Sequence, residues 1–169
     1  KTHLYAVYLP HVIEYRRGLL PEPEREFYIS GDAFVKDWII KVRNDVPDAP
    51  VLVTAGGLLH YFEENKVISL LRMIGQSGNM EVVFDTVNKK GMAMMQKKYM
   101  KQVGHADAQM FFYVDAAKEL AAKIRGNVKV IAEEPYYRYI PKNGLKLSTK
   151  VSMAVSDQFK MVKMIHLKL

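Results

Sequence analysis

Residues 50–62 read PVLVTAGGLLHYF. Val51-Leu52-Val53-Thr54-Ala55 is apolar or β-branched at every position, the pattern of a strand buried on both faces in the centre of a parallel sheet. Pro50 introduces the run and Gly56-Gly57 breaks it. Without Cβ atoms, paired glycines permit either a plain tight turn or close approach of a ligand to backbone amides. Leu58, Leu59, His60, Tyr61 and Phe62 follow, and Glu63-Glu64 suits the positive end of a helix dipole. Val67, Ile68, Leu70, Leu71 and Ile74 then give that helix a broad apolar face before Gly75 and Gly78.

The same strand, turn, helix order repeats on both sides. Upstream, Leu4 to Leu9 (LYAVYL) predicts a strand, and Pro10 opens a helix with Val12, Ile13, Leu19 and Leu20 on its apolar side. Phe27 to Ser30 predicts a second strand, and Gly31-Asp32 a turn towards a helix through Trp38, Ile39, Ile40 and Val42. Downstream, Glu81 to Val87 reads as a strand, Met92 to Val103 and Asp115 to Ile124 as helices, and Val128 to Ala132 as a strand running on towards Tyr136. Ser148 to Phe159 reads as a helix and Met164 to Leu169 as the last strand. Alternation of this kind specifies the α/β class. With 169 residues, 49% of them hydrophobic, the chain is read as one domain.

Composition narrows the function. Cysteine is absent, which removes disulfides and thiolate metal sites. His3, His11, His60, His105 and His166 lack ligand spacing, so no metal site is expected. No apolar run approaches a membrane span, and a cytoplasmic protein with no membrane partner is expected. The net charge is +7, with bases gathered in Lys89–Lys101 and Lys142–Lys168. Solvated helix faces account for that pattern, and without a nucleic-acid-binding signature no nucleic-acid partner is expected.

In open parallel sheets ligands bind beyond the carboxyl ends of the strands. Asp32 stands there after one strand, where it can accept a hydrogen bond from an exocyclic amine or cap the next helix. His60 can act as a general base or pack in the core, and Tyr61 can position a ligand or pack. Asp85, near the end of another strand, can touch substrate, cap a helix or fix a turn. Met92, Met94, Met95 and Met100 can line a pocket or fill the core. Phe111-Phe112-Tyr113 and Tyr136-Tyr137 can wall an acceptor site, with Arg138 pairing an acidic group on the acceptor.

Three blocks carry a family resemblance. Tyr5-Ala6-Val7-Tyr8-Leu9-Pro10 followed by Val12-Ile13-Glu14 resembles the second-strand motif of the leucine carboxyl methyltransferase and polyketide O-methyltransferase family, an acidic version of Y-E-V-D-L-P with V-I-E. Gly31-Asp32-Ala33 with Trp38 is similar to its adenine-side segment, and residues 50–62 resemble its P-x-L-x-x-A-E-G-L-L-x-Y-L block. Met80 to Asp85 and the ending Lys163 to Leu169 are similar as well. The resemblance implies a Rossmann-like, mostly parallel sheet with an antiparallel C-terminal strand, and transfer of a methyl group from S-adenosylmethionine to a carboxylate or hydroxyl oxygen of a small molecule. It further implies Asp32 and Ala33 beside the adenine, and Ala55, Gly56, Leu59 and Tyr61 along the methionine and acceptor side, with His60 and Tyr61 as catalytic candidates.

The chain departs from that pattern in three places. No G-x-G-like loop stands upstream of Leu4, Ala6 and Tyr8 replace the acidic residues expected on the ribose hydroxyls, and Gly56 replaces a glutamate. The domain, residues 1–169, is therefore read as incomplete at its N-terminus and lacking the first strand. Two functions follow: a methyltransferase that works only with its missing part, or a non-catalytic binding module on the same scaffold. A sheet without its first strand exposes an edge, so homodimerisation or poor solubility is expected.

Overall fold

The computed structural model describes residues 2–21, 23–99 and 109–169. The backbone forms two compact units, one up to Ala49 and one from Pro50.

The first unit contains β1 (Leu4–Tyr8), α1 (Pro10–Leu19), β2 (Glu26–Ser30) and α2 (Asp37–Asp45). β1 and β2 pair in parallel, from Leu4 opposite Glu26 to Tyr8 opposite Ser30. Pro10 occupies the first turn of α1, where its missing N–H costs nothing because that donor has no partner within a helix. α1 buries Ile13, and Arg16 reaches back to β2, donating to the Tyr28 hydroxyl at 2.6 Å and pairing with Glu26 at 3.3 Å. α2 buries Trp38, Ile39 and Val42.

The second unit carries β3 (Val51–Ala55), a short 3-10 turn (Leu59–Tyr61), α3 (Glu64–Gly75) and β4 (Met80–Val87). Next come α4 (Lys89–Met94), which runs into a π-helical turn (Met95–Tyr99), and α5 (Ala117–Ile124). β5 (Lys129–Pro135), α6 (Leu147–Gln158) and β6 (Val162–Lys168) complete it. The strand order is β3-β4-β6-β5, with β3 parallel to β4 and β6 antiparallel to both β4 and β5. The α/β class and the antiparallel C-terminal strand are as the sequence reading has them.

Burial explains the order. β4 alternates from Met80 to Thr86, with Met80, Val82, Phe84 and Thr86 inside, and its last residue, Val87, is buried as well. α3 covers it with all five residues of the apolar face read from the sequence, Val67, Ile68, Leu70, Leu71 and Ile74. Each such side chain contributes about 1.5–3 kcal/mol on leaving water.

Three expectations need correction. β3 is not buried on both faces: Leu52 is 57% exposed, and among the described residues of its unit β3 has a strand neighbour on one side only. An unbroken apolar run is compatible with either position, and here β4 takes the central one. Asp32 does not cap α2. The cap position belongs to Lys36, and the Asp32 carboxylate instead accepts the Phe34 amide at 2.9 Å within a turn that precedes the helix. The helix read from Asp115 begins at Ala117, because Asp115 turns its carboxylate to the Lys89 amide at 3.0 Å. The helix read over Met92–Val103 is helical through Tyr99, and its remainder, including Met100, lies outside the described residues.

Candidate functional site

Both glycine-containing turns singled out in the sequence stand at carboxyl ends of parallel strands. In the first unit the Gly31 amide donates to the Tyr8 carbonyl at 2.9 Å, so the turn after β2 is tied to the end of β1. Asp32, exposed, follows directly, and its backbone carbonyl accepts the Val35 amide at 3.0 Å. The Ala33 carbonyl accepts the indole N–H of Trp38 at 2.9 Å. Buried Trp38 thereby anchors the turn from beneath and leaves the Asp32 end facing water.

In the second unit the turn is built by a mismatch in strand length. The β3 ladder ends with Ala55 opposite Phe84, while β4 continues through Asp85, Thr86 and Val87 against β6. Asp85 is thus the first β4 residue past the point where β3 leaves the sheet. Its carboxylate accepts the Gly57 amide at 2.7 Å, a charge-assisted hydrogen bond. Gly57 sits at φ +63, a left-handed conformation suited to glycine. Neither Gly56 nor Gly57 has a heavy atom within 4 Å of where a Cβ would stand. Gly57→Ala is expected to cost about 1–2 kcal/mol of stability, the penalty of a left-handed L-residue, whereas Gly56→Ala should leave the thermal unfolding midpoint unchanged. Equal destabilisation of the two variants would contradict this turn geometry.

Beyond the glycines the side chains divide sharply. Leu59 is 1% exposed and belongs to the core, so it can meet a ligand only through its backbone. His60 is 6% exposed and Tyr61 41% exposed, their rings edge to face at 5.2 Å. Burial pushes the His60 imidazole below its ordinary value, and the nearby Asp85 carboxylate only partly restores it. The ring is therefore neutral at pH 7, and its Nδ1 has no hydrogen-bond partner among the described residues. The His60 carbonyl accepts the Phe111 and Phe112 amides at 2.8 and 3.3 Å, and the Val114 amide donates to the Val87 carbonyl at 2.9 Å. Residues 111–114 thus run from the turn to the carboxyl end of β4.

Ala55, Gly56, Leu59, His60, Tyr61 and Asp85 are accordingly gathered at one end of the second unit, while Asp32 and Ala33 belong to the first. Of the aromatic group, Phe112 is core, 6.5 Å from Phe84 ring to ring. Phe111 and Tyr113 line a cavity of about 290 Å³ together with Glu64, Asp115 and Glu119. Arg138 does not present a free guanidinium, because Glu134 pairs with it. Met94 is 52% exposed, which removes it from the core-filling reading.

Sequence reasoning missed a buried ion pair. Lys163, 1% exposed, donates from Nζ to Glu133 Oε1 and to the Asp115 carbonyl, both at 2.7 Å. The other Glu133 oxygen accepts the Ala117 amide at 3.1 Å. One carboxylate therefore joins β5, β6 and the first residue of α5. The signal was present: in the alternation of β6, Lys163 shares the inward face with Ile165 and Leu167.

No protein-family model matches the chain. Over 128 residues, 68% of this chain and 41% of the relative, it is 32% identical to the S-adenosyl-L-methionine-dependent methyltransferase dpfgK of Gibberella zeae. The chain thus spans about two fifths of that relative's length. Among solved structures it is similar to an S-adenosylmethionine-dependent methyltransferase of Anabaena variabilis, with TM-score 0.56 and 10% identity over 98% of this chain and 68% of the other. The fold is that of the S-adenosylmethionine-dependent methyltransferases. LepI, solved in complex with S-adenosylmethionine, shares it at TM-score 0.59 and 14% identity, over 100% of this chain and 36% of LepI. Among the described residues no helix is long and apolar enough to cross a membrane.

Proposed function

We propose that the chain is part of an S-adenosylmethionine-dependent O-methyltransferase acting on a small molecule, of the leucine carboxyl and polyketide O-methyltransferase kind. The similarity to the methyltransferase of Gibberella zeae across 128 residues carries this reading. The turn at the end of β3 fits the methionine part of such a cofactor. Gly56 offers open space at the carboxyl end of a parallel strand, and Tyr61 supplies an exposed ring and hydroxyl beside it. In this reading Ala55, Gly56 and Leu59 act through their backbone.

When bound, the cofactor supplies a methyl group already activated by the sulfonium, so the protein's task is to position and desolvate the acceptor oxygen. Neutral His60 is in the protonation state that can take a proton from an acceptor hydroxyl. Of the two oxygen classes the hydroxyl is favoured, because the cavity bounded by residues 111–114 is lined by three carboxylates, Glu64, Asp115 and Glu119, against one cation, Lys123, which already pairs with Glu64 at 2.6 Å, a balance that disfavours an anionic acceptor.

Calorimetric titration with S-adenosylmethionine tests the reading, on this chain and on the longest polypeptide its gene encodes. Saturable heat is expected, with weaker binding by Gly56→Ala, which fills the open space without straining the fold. Silence at millimolar ligand would contradict it.

A non-catalytic binding module is the second reading. Ala6 and Tyr8 favour it, since neither can accept ribose hydrogen bonds as a carboxylate does, and Tyr8 closes β1 at the end where ligands bind. Methyl transfer by the 169-residue chain would exclude it.

A further inference from the structure

We infer that Asp85 is the positioning residue of the cofactor turn: its carboxylate fixes Gly56-Gly57 in the shape that receives the ligand, without touching the ligand. The inference rests on the functional reading above and goes beyond it by giving a role to a strand residue outside the turn.

Three observations converge on Asp85. First, β4 overhangs β3, which places residue 85 beside the departing chain and not beneath a paired neighbour. Second, its Oδ1 accepts the Gly57 amide at 2.7 Å, so this oxygen already has a partner. Third, Gly57 is held at φ +63 while the space where a Cβ would stand is open at both glycines. Packing on that side therefore does not hold this turn in place. A glycine pair has the widest choice of backbone conformations of any dipeptide, and the hydrogen bond to Asp85 is what narrows that choice. Aspartate is depleted in strands, and in β4 the residues on either side of it, Phe84 and Thr86, are fully buried. A free turn would reach the receiving shape only part of the time, and apparent affinity falls by that fraction.

His60 supplies an independent signature. Its buried imidazole feels the Asp85 carboxylate, so removing that charge should move its titration further down. That shift accompanies loss of the charge in any variant, whereas release of the Gly57 amide needs loss of the acceptor oxygen.

The experiment compares Asp85→Ala and Asp85→Asn with the unsubstituted protein. Calorimetric titration with S-adenosylmethionine gives the affinity, the Gly57 amide proton resonance and its exchange rate give the turn, and the His60 ring resonances give its titration. Asp85→Ala is expected to weaken binding about tenfold, the order set by one hydrogen bond to a charged group, and to speed Gly57 amide exchange. Asp85→Asn, which keeps an acceptor oxygen, is expected to retain amide protection and most of the affinity while His60 titrates lower. Equal affinity in Asp85→Ala and the unsubstituted protein would overturn the inference. So would a loss in Asp85→Asn as large as in Asp85→Ala with the Gly57 amide unmoved, the mark of direct ligand contact. If the unsubstituted protein itself takes no S-adenosylmethionine, the functional reading fails and the inference falls with it. Binding that is insensitive to Asp85 removes the inference alone.

Discussion

Glu133→Ala should lower the unfolding free energy by about 3–5 kcal/mol, the cost of leaving a buried charge without its partner. Lys163 is 1% exposed, and among the described residues its ammonium meets Glu133 and the Asp115 carbonyl. Removing the carboxylate strands that charge in the interior and also leaves the Ala117 amide without its acceptor at the start of α5. Glu133→Gln should cost less, because an amide oxygen can still serve Ala117. Urea unfolding at neutral pH measures both, and a midpoint for Glu133→Ala close to that of the unsubstituted protein would refute the argument.

The same pair makes stability depend on acid. Burial alone pushes the Glu133 carboxyl up, but the hydrogen bonds from Lys163 and the Ala117 amide outweigh it and hold the group below its ordinary value. A carboxyl with a depressed folded value binds fewer protons folded than unfolded, so its contribution is complete above the unfolded value and is lost as pH falls through the folded one. Stability should therefore decline with acid less steeply in Glu133→Gln than in the unsubstituted chain.

Gly91→Ala should destabilise the second unit by about 1–3 kcal/mol, the usual cost of overpacking, although helix propensity alone predicts a gain of about 1 kcal/mol. The sign turns on one distance. A Cβ on Gly91 would stand 2.3 Å from the Met161 carbonyl oxygen, and that backbone cannot swing aside as a side-chain tip would. Met161 is fixed because its carbonyl accepts the Asn88 amide, while the Asn88 side chain caps α4 by accepting the Gly91 amide and donates to the Phe159 carbonyl. Alanine would force α4 away from the segment that leads into β6. A rise in the thermal unfolding midpoint of Gly91→Ala would show that α4 has room to move.

Periodicity made much of this fold legible. The apolar face of α3 was readable because burial repeats at helical period, and the strand at residues 51–55 because an unbroken apolar and β-branched run stands between Pro50 and Gly56-Gly57. The turn after Ala55 was readable because paired glycines break an apolar run. What stayed hidden depends on residues distant in sequence. Gly91 needs to be glycine because of Met161, and nothing in the intervening sequence says that the two meet. That β3 stands, among the described residues, at the edge of its sheet and β4 inside it depends on β6 pairing with β4, which no local pattern encodes. Lys163 was the intermediate case: its place on the inward face follows from counting by twos back from Leu167, yet a charged residue reads locally as the end of a strand. At the site, the burial of His60 and the exposure of Tyr61 were left open by residue type, since adjacent residues in one short turn divided between core and water.

The placement of β6 between β4 and β5 has a consequence for synthesis on the ribosome. β5 emerges first, yet the strand it pairs with, among the described residues, is β6. Until that later segment clears the exit tunnel, β5 can only wait as an unpaired ribbon, and the acid of its Glu133 waits for the lysine of a strand not yet made. β3, α3 and β4 can assemble while translation continues, in the order in which they appear. Completion of the sheet, by contrast, is a late event that locks two already translated parts together in a single step.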